Sequence, residues 1–197
     1  MIIGLTGGIG SGKTTVGRFF NDFDIPVYIA DNEAKRLMLH NKDIRQEVEK
    51  LLGSEAYAGG LLNRKYIANR VFKDQSLLNA LNTIVHPVVQ KDFEQWHLTQ
   101  DAPYVIKEAA ILIENEGYKK CDYTILVTAP RAQRIKRVMA RDNISQESVV
   151  QRIAAQWSDF KKMAYADAVV ENIILTDTDK VIQKLHIHLL RRINQGW

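Results

Sequence analysis

The 197-residue chain predicts an α/β fold in which a five-stranded parallel sheet is sandwiched by helices. Three observations carry that prediction. Short apolar strands alternate with helical stretches, a pattern whose crossovers place strands side by side in parallel. A glycine-rich turn joins the first strand to the first helix. One long helical run interrupts the alternation, as an insertion does.

The elements follow in order. Residues 2–6, IIGLT, form a short apolar strand that runs into the glycine-rich turn. From Lys13 the apolar positions Val16, Phe19 and Phe20 recur at helical spacing, and the segment Asn21, Asp22, Phe23, Asp24 ends that helix. Residues 26–30, PVYIA, read as a second buried strand closed by Asp31. Residues 32 to about 98 are mostly helical, broken by one loop at 53–63 marked by Gly59 and Gly60. Strands are expected at 104–106, 123–128 and 169–176, and Asp177 or Asp179 is placed to cap a final helix with an apolar stripe through Val181, Ile182, Leu185, Leu189 and Ile193. The chain reads as one domain: a core of 1–31, 99–139 and 168–197, a helical insertion at 32–98 of the kind that binds a substrate, and a further segment at 140–167.

Composition narrows the function. A chain of this length buries roughly 70% of its unfolded surface and needs no disulfide, and the single cysteine, Cys121, can form none within the chain. Cys121 precedes an apolar run and reads as a packed strand-edge thiol. The opening MIIGLTGGIGSGK has no basic segment ahead of an apolar core, and the apolar stretch 109–113 is too short to span a bilayer. A cytoplasmic protein with no membrane or obligate protein partner is expected. The formal charge is +4, and residues 131–162 hold eight Lys/Arg against three Asp/Glu. No RNA-type aromatic motif or zinc spacing accompanies that excess, so a polyphosphate ligand accounts for it as well as a nucleic acid does, and no nucleic-acid partner is expected.

Residues 7–14, GGIGSGKT, satisfy G-x-x-x-x-G-K-[ST]. The spacing has a physical basis. Glycines let the backbone curl until successive N–H groups point at phosphate oxygens, and the following helix adds its positive end. Gly8, Gly10, Ser11, Gly12, Lys13, Thr14 and Thr15 are the expected ATP-binding residues, with Lys13 on the β- and γ-phosphates and Thr14 offering its hydroxyl to Mg2+. A chance match arises in roughly one chain of this length per hundred at average glycine usage, and the strand before and helix after the loop lower that further. A GTPase is disfavoured: Asn41-Lys42 is followed by Asp43-Ile44, which breaks the base-reading motif, and no Asp-x-x-Gly occurs. In a parallel sheet the strand ends open on one crevice. Asp31 there is placed either to take a proton from an acceptor hydroxyl or merely to cap the next helix.

The sequence resembles the dephospho-coenzyme A kinases over nearly the whole chain. The opening GLTGGIGSGKT at 4–14, Ala30-Asp31, Leu62-Asn63-Arg64, His86-Pro87, the run Ala110, Ile111, Leu112, Ile113, Glu114, then Arg141-Asp142 with Arg152 and Gln156, and finally Ala166-Asp167 with Asn172 match the family's motifs in order. Ile29, Asn63 and Ala110 depart from the pattern at positions that do not carry phosphoryl chemistry. The resemblance implies a P-loop kinase fold, ATP as donor, Mg2+, and phosphorylation of the ribose 3′-hydroxyl of dephospho-coenzyme A. It implies Asp31 as base, Arg141 as the lid arginine on the ATP phosphates, and Arg64 and His86 near the acceptor. Unaided, His86 reads as a turn histidine before Pro87.

The basic segment can also be read directly. On a helix Arg134, Arg137 and Arg141 lie within about 60° of one another, which suits a solvated charged face as well as a phosphate-facing one. Arg137 is a second candidate on ATP, and Arg152 either orients the lid or touches phosphate. Glu108, at the end of the third strand, is placed either to order metal-bound water or as a structural acid. Trp157 suits the core or an adenine stack. His186 and His188, two apart on a helix, face different ways and make poor metal ligands. Two other functions stay open at this stage: a kinase for a nucleoside, nucleotide or sugar, and a nucleotide-binding regulatory or nucleic-acid module.

Overall fold

In the computed structural model, which describes residues 1–196 apart from the side chains of Phe72 and Lys73, the strands are β1 (Ile2–Thr6), β2 (Val27–Ile29), β3 (Tyr57–Ala58), β4 (Leu61–Leu62), β5 (Val105–Glu108), β6 (Tyr123–Thr128) and β7 (Ala168–Glu171). Five of them form one sheet in the order β2-β5-β1-β6-β7, every neighbouring pair parallel. The helices are α1 (Lys13–Asn21), α2 (Ala30–His40), α3 (Lys42–Leu52), α4 (Arg64–Lys73), α5 (Gln75–Leu98), α6 (Arg131–Asp142), α7 (Gln146–Ala154), α8 (Asp159–Met163) and α9 (Leu175–Asn194). The chain divides into two compact units, residues 1–29 with 100–197, and residues 30–99.

In the first unit β1, the central strand, is buried from Ile3 onward, and β5 and β6 are buried along their whole length. Continuous apolar runs are what a sheet covered on both faces requires. Val16 and Phe20 of α1 and Ile182 and Leu189 of α9 pack with Ile3, Leu5, Ile106, Ile125 and Val127 in one core. Each such fully buried side chain contributes about 1.5–3 kcal/mol. Cys121 donates weakly to the Gly117 carbonyl at 3.7 Å, and burial pushes its thiol up to about 11, which suits an inert packed group.

The second unit has its own interior. Leu81, Val85, Val89 and Phe93 recur every four residues along α5 and are buried with Leu37, Ile44, Val48 and Leu52 of α2 and α3. Arg36 of α2 pairs with Glu33 and, at 2.7 Å, with Asp92 of α5. Helix α5 runs unbroken through Pro87, so His86 lies inside a helix rather than in a turn. The surrounding packing outweighs the N–H that proline withholds from the helix ladder. The expected loop at 53–63 contains a 3-10 turn at Ser54–Ala56 and the β3–β4 hairpin, turned by Gly59 and Gly60.

Two boundaries differ from the sequence expectation. Strand β2 stops at Ile29, and Asp31 lies in the first turn of α2 instead of closing the strand. Strand β7 stops at Glu171 and α9 begins at Leu175. At the end of β7 stands the buried Asn172, whose N–H still bonds to the Thr128 carbonyl of β6 at 2.8 Å and whose side chain bonds to Ser11 and Thr178. Asp177 therefore sits in the first turn of α9, where it complements the helix dipole, and neither it nor Asp179 is the cap.

One polar contact in the first unit titrates. The Tyr104 hydroxyl and Nδ1 of the half-buried His186 share a hydrogen bond at 2.6 Å, and Phe23 stacks on the imidazole. Burial lowers the His186 pKa below its ordinary value. The unfolded chain then binds this proton at higher pH than the folded one, so stability falls as pH drops through about 6.5 toward the folded-state pKa. Urea unfolding at pH 7.5 and 5.5 is expected to show a larger loss of stability in the wild type than in His186→Gln; equal losses would show that His186 does not couple to folding.

Candidate phosphate-binding site

The loop between β1 and α1 is shaped by contacts on its outer side. Arg134 Nε donates to the Ile9 carbonyl at 2.9 Å, Arg137 Nη1 reaches the carbonyls of Gly10 and Ser11 at 3.5 and 3.4 Å, and Asn172 Nδ2 donates to the Ser11 carbonyl at 2.9 Å. The carbonyls of Ile9, Gly10 and Ser11 are thereby occupied, and a loop backbone curled with its carbonyls held from outside is the kind that forms an anion-binding nest. Arg137 Nη2 also donates to the Asn172 carbonyl at 2.9 Å, which ties the chain after β7 to α6.

Close approach explains two of the glycines. A methyl group at Gly8 would overlap the Arg134 guanidinium, and one at Gly12 would overlap the Asn172 amide, where φ is also +93°. Gly12 stands at the N-cap of α1, with no side-chain cap and no acidic residue in the first turn. By contrast, Asn41, Asn63, Asp74, Ser145 and Ser158 cap α3, α4, α5, α7 and α8. The α1 terminus thus keeps its positive end for an anion. Lys13 opens that helix, followed by Thr14 and Thr15.

An acid stands beside the loop. Glu108, the last residue of β5, is buried, and its Oε1 accepts a hydrogen bond from Thr14 Oγ1 at 3.0 Å. Its register partners are Leu5 of β1 and Ile29 of β2. A hydroxyl and a carboxylate side by side are hard oxygen donors of the kind Mg2+ takes together with phosphate oxygens and water. Among the described residues no three His, Cys, Asp or Glu side chains gather into a metal-holding group.

The other expected residues lie as follows. Arg134, which the helical face left open to solvent, is 7% exposed and pairs with Asp159 at 3.1 Å. Arg141 is 63% exposed and turned to Asp142 at 2.7 Å, which also takes Arg152 at 3.0 Å. These two arginines hold the Asp142 carboxyl below its usual range. Trp157 is half-buried, with Lys161 Nζ 3.3 Å above its ring. In the second unit Asp31 is exposed in α2, Arg64 is exposed at the first position of α4, behind the Asn63 cap, and His86 is half-buried in α5.

Sequence reasoning missed the supporting roles of Arg134, Asn172, Gln156 and Asp159. The available signals were that Arg134 shares a helix face with Arg137 and that Gln156 and Asn172 stand in the family motifs; the contacts themselves join segments distant in sequence.

The dephospho-CoA kinase family profile matches residues 1–177. A dephospho-CoA kinase of Bacteroides fragilis is 39% identical over 171 residues, covering 86% of this chain and 83% of the relative. That of Escherichia coli strain K12 is 33% identical over 196 residues, covering 98% of this chain and 95% of the relative. A crystal structure of a Thermus thermophilus protein superposes with a TM-score of 0.86 at 34% identity, covering 95% of this chain and 96% of that one.

Asn172→Ala would leave the Ser11 carbonyl with only the longer Arg137 contact at 3.4 Å and the Thr178 hydroxyl with only the Ile174 carbonyl at 3.0 Å. An unfolding free energy lower by about 2 kcal/mol is expected, together with weaker ADP binding. Unchanged values for both would mean that the loop holds its shape without this amide.

Proposed function

The chain belongs to the dephospho-CoA kinase family, and from that premise we propose how its residues share the reaction. It is a P-loop kinase that transfers the γ-phosphoryl group of ATP to dephospho-coenzyme A in coenzyme A biosynthesis. Acceptor and product differ by a phosphate on the ribose 3′-oxygen, which makes that hydroxyl the nucleophile. The bond from O3′ to Pγ forms as the bond from Pγ to the β,γ-bridging oxygen breaks, and ADP leaves.

The transition state is loose, so positioning and charge carry the catalysis. The observation supporting the ATP site is the capture of the loop carbonyls by Arg134, Arg137 and Asn172, which leaves an uncapped helix end behind an inward-facing backbone. The Ile9 and Ser11 amides are bonded within the protein, so the β- and γ-phosphates are held by the loop glycines and the α1 end from Gly12 to Thr15, and Lys13 follows the charge that moves to the bridging oxygen. Arg137 supports nucleotide binding through the loop it braces. Thr14 and Glu108 would hold Mg2+, Thr14 directly and Glu108 through water. Mg2+, when bound, supplies charge neutralisation between the phosphates.

Asp31 takes the proton of the 3′-hydroxyl. The family motif supports this role, as does its place two residues past Ile29, whose register partner is Glu108. Arg141 is the lid cation: the stretch of 140–167 ahead of Gln156 closes, and the Arg141 guanidinium exchanges Asp142 for phosphate oxygens. Arg64 and His86 contact the acceptor within the helical insertion. The enzyme works in the cytoplasm on two small molecules, with no nucleic-acid, membrane or obligate protein partner. No helix among the described residues is long and apolar enough to cross a membrane.

ADP release measured with dephospho-coenzyme A, nucleoside monophosphates, nucleosides and sugars is expected to be stimulated only by the first. Stimulation by another acceptor, or by none, would overturn the assignment. Asp31→Asn is expected to lower kcat by about 10²–10⁴-fold with little change in ATP affinity. Near-normal turnover would leave Asp31 as no more than a first-turn acid of α2.

A further inference from the structure

We propose that Gln156 is a positioning residue for phosphoryl transfer, holding with Arg134 the two peptide groups of Ile9 and so setting the curvature of the phosphate loop. This rests on residues 7–14 being the ATP site.

The geometry is specific. The Ile9 N–H donates to Gln156 Oε1 at 2.8 Å, and the Ile9 carbonyl accepts from Arg134 Nε at 2.9 Å. Two side chains from different segments therefore grip consecutive peptide groups. Ile9 lies between Gly8 and Gly10, so the backbone on either side has little conformational preference of its own. External contacts must define it. The Ile9 amide is also committed to the protein, as is the Ser11 amide, which donates to the Gly8 carbonyl at 3.0 Å, so this part of the loop is braced through its N–H groups as well as its carbonyls.

Gln156 is itself held rigidly. The next amide, Trp157 N–H, donates to Glu114 Oε1 at 3.3 Å, and the same oxygen pairs at 2.8 Å with Lys162 Nζ, whose side chain is fully buried. On the other side Asp159 receives Arg134 Nη1 through both oxygens at 3.2 and 3.1 Å. The segment 156–162 is thus pinned by two acid–base pairs, one behind each grip on Ile9. A shielded ion pair contributes little net stability compared with apolar packing, whereas it fixes geometry closely. That is what a loop needs when its amides must meet phosphate oxygens within tenths of an ångström.

The test uses the full-length enzyme with Gln156→Met, which keeps the shape and removes the amide acceptor, and Gln156→Glu, whose carboxylate accepts the same N–H. Gln156→Met is expected to raise the ADP dissociation constant and the ATP KM about five- to tenfold. Its dephospho-coenzyme A KM should stay unchanged while its melting temperature falls by no more than a few degrees, and Gln156→Glu should remain within about threefold of wild type. The proposal fails if Gln156→Met binds ADP like wild type, if the two variants lose equally, or if both KM values rise together. Lys13→Ala separates the underlying assignment: loss of ADP binding there, with Gln156→Met unaffected, sinks only the positioning role. Retained ADP binding in Lys13→Ala would sink the ATP site itself.

Discussion

The constraint on which the active-site half of the molecule depends is the outward capture of the phosphate-loop carbonyls. A backbone that curls tightly enough to aim several N–H groups at one point leaves its carbonyls on the convex side, and those groups must be satisfied. Arg134, Arg137 and Asn172 do so from α6 and from the chain just past β7. The glycines follow from this as much as from the ligand, because Gly8 and Gly12 lie directly under the guanidinium and the amide.

The same contacts change the meaning of the positive charge. Residues 131–162 carry much of the chain's excess, yet two of the cations there, Arg134 and Lys162, are buried and paired with Asp159 and Glu114. They brace the loop from within the fold. Arg141 and Arg152 are exposed and share Asp142, an exposed pairing that holds them only weakly. One basic segment thus contains two populations, buried arginine and lysine that fix geometry and exposed arginines free to change partner.

The acid side of the site has a simpler origin. In a parallel sheet the last residue of each strand faces the crevice, and Glu108 ends β5 next to β1 and meets Thr14 across it. The insertion of residues 30–99 contributes differently. It carries its own core along α5, so its exposed residues can be varied without disturbing the sheet of the first unit.

The sequence by itself determined the sheet, its five strands, the phosphate loop and the family, because these rest on local signals: apolar period, glycine spacing and short ordered motifs. It also placed Glu108 at a strand end, while putting Asp31 at another that in fact stops at Ile29. The chain's linear order could not show that Arg134 is buried, that α5 passes through Pro87, or that the Asn172 side chain bonds to Ser11. Only the tertiary structure decided those points, because each depends on a partner more than a hundred residues away or on packing that overrides a local preference. An arginine on a helix looks the same in sequence whether it faces water or the Ile9 carbonyl; the fold alone supplies the neighbour that tells them apart.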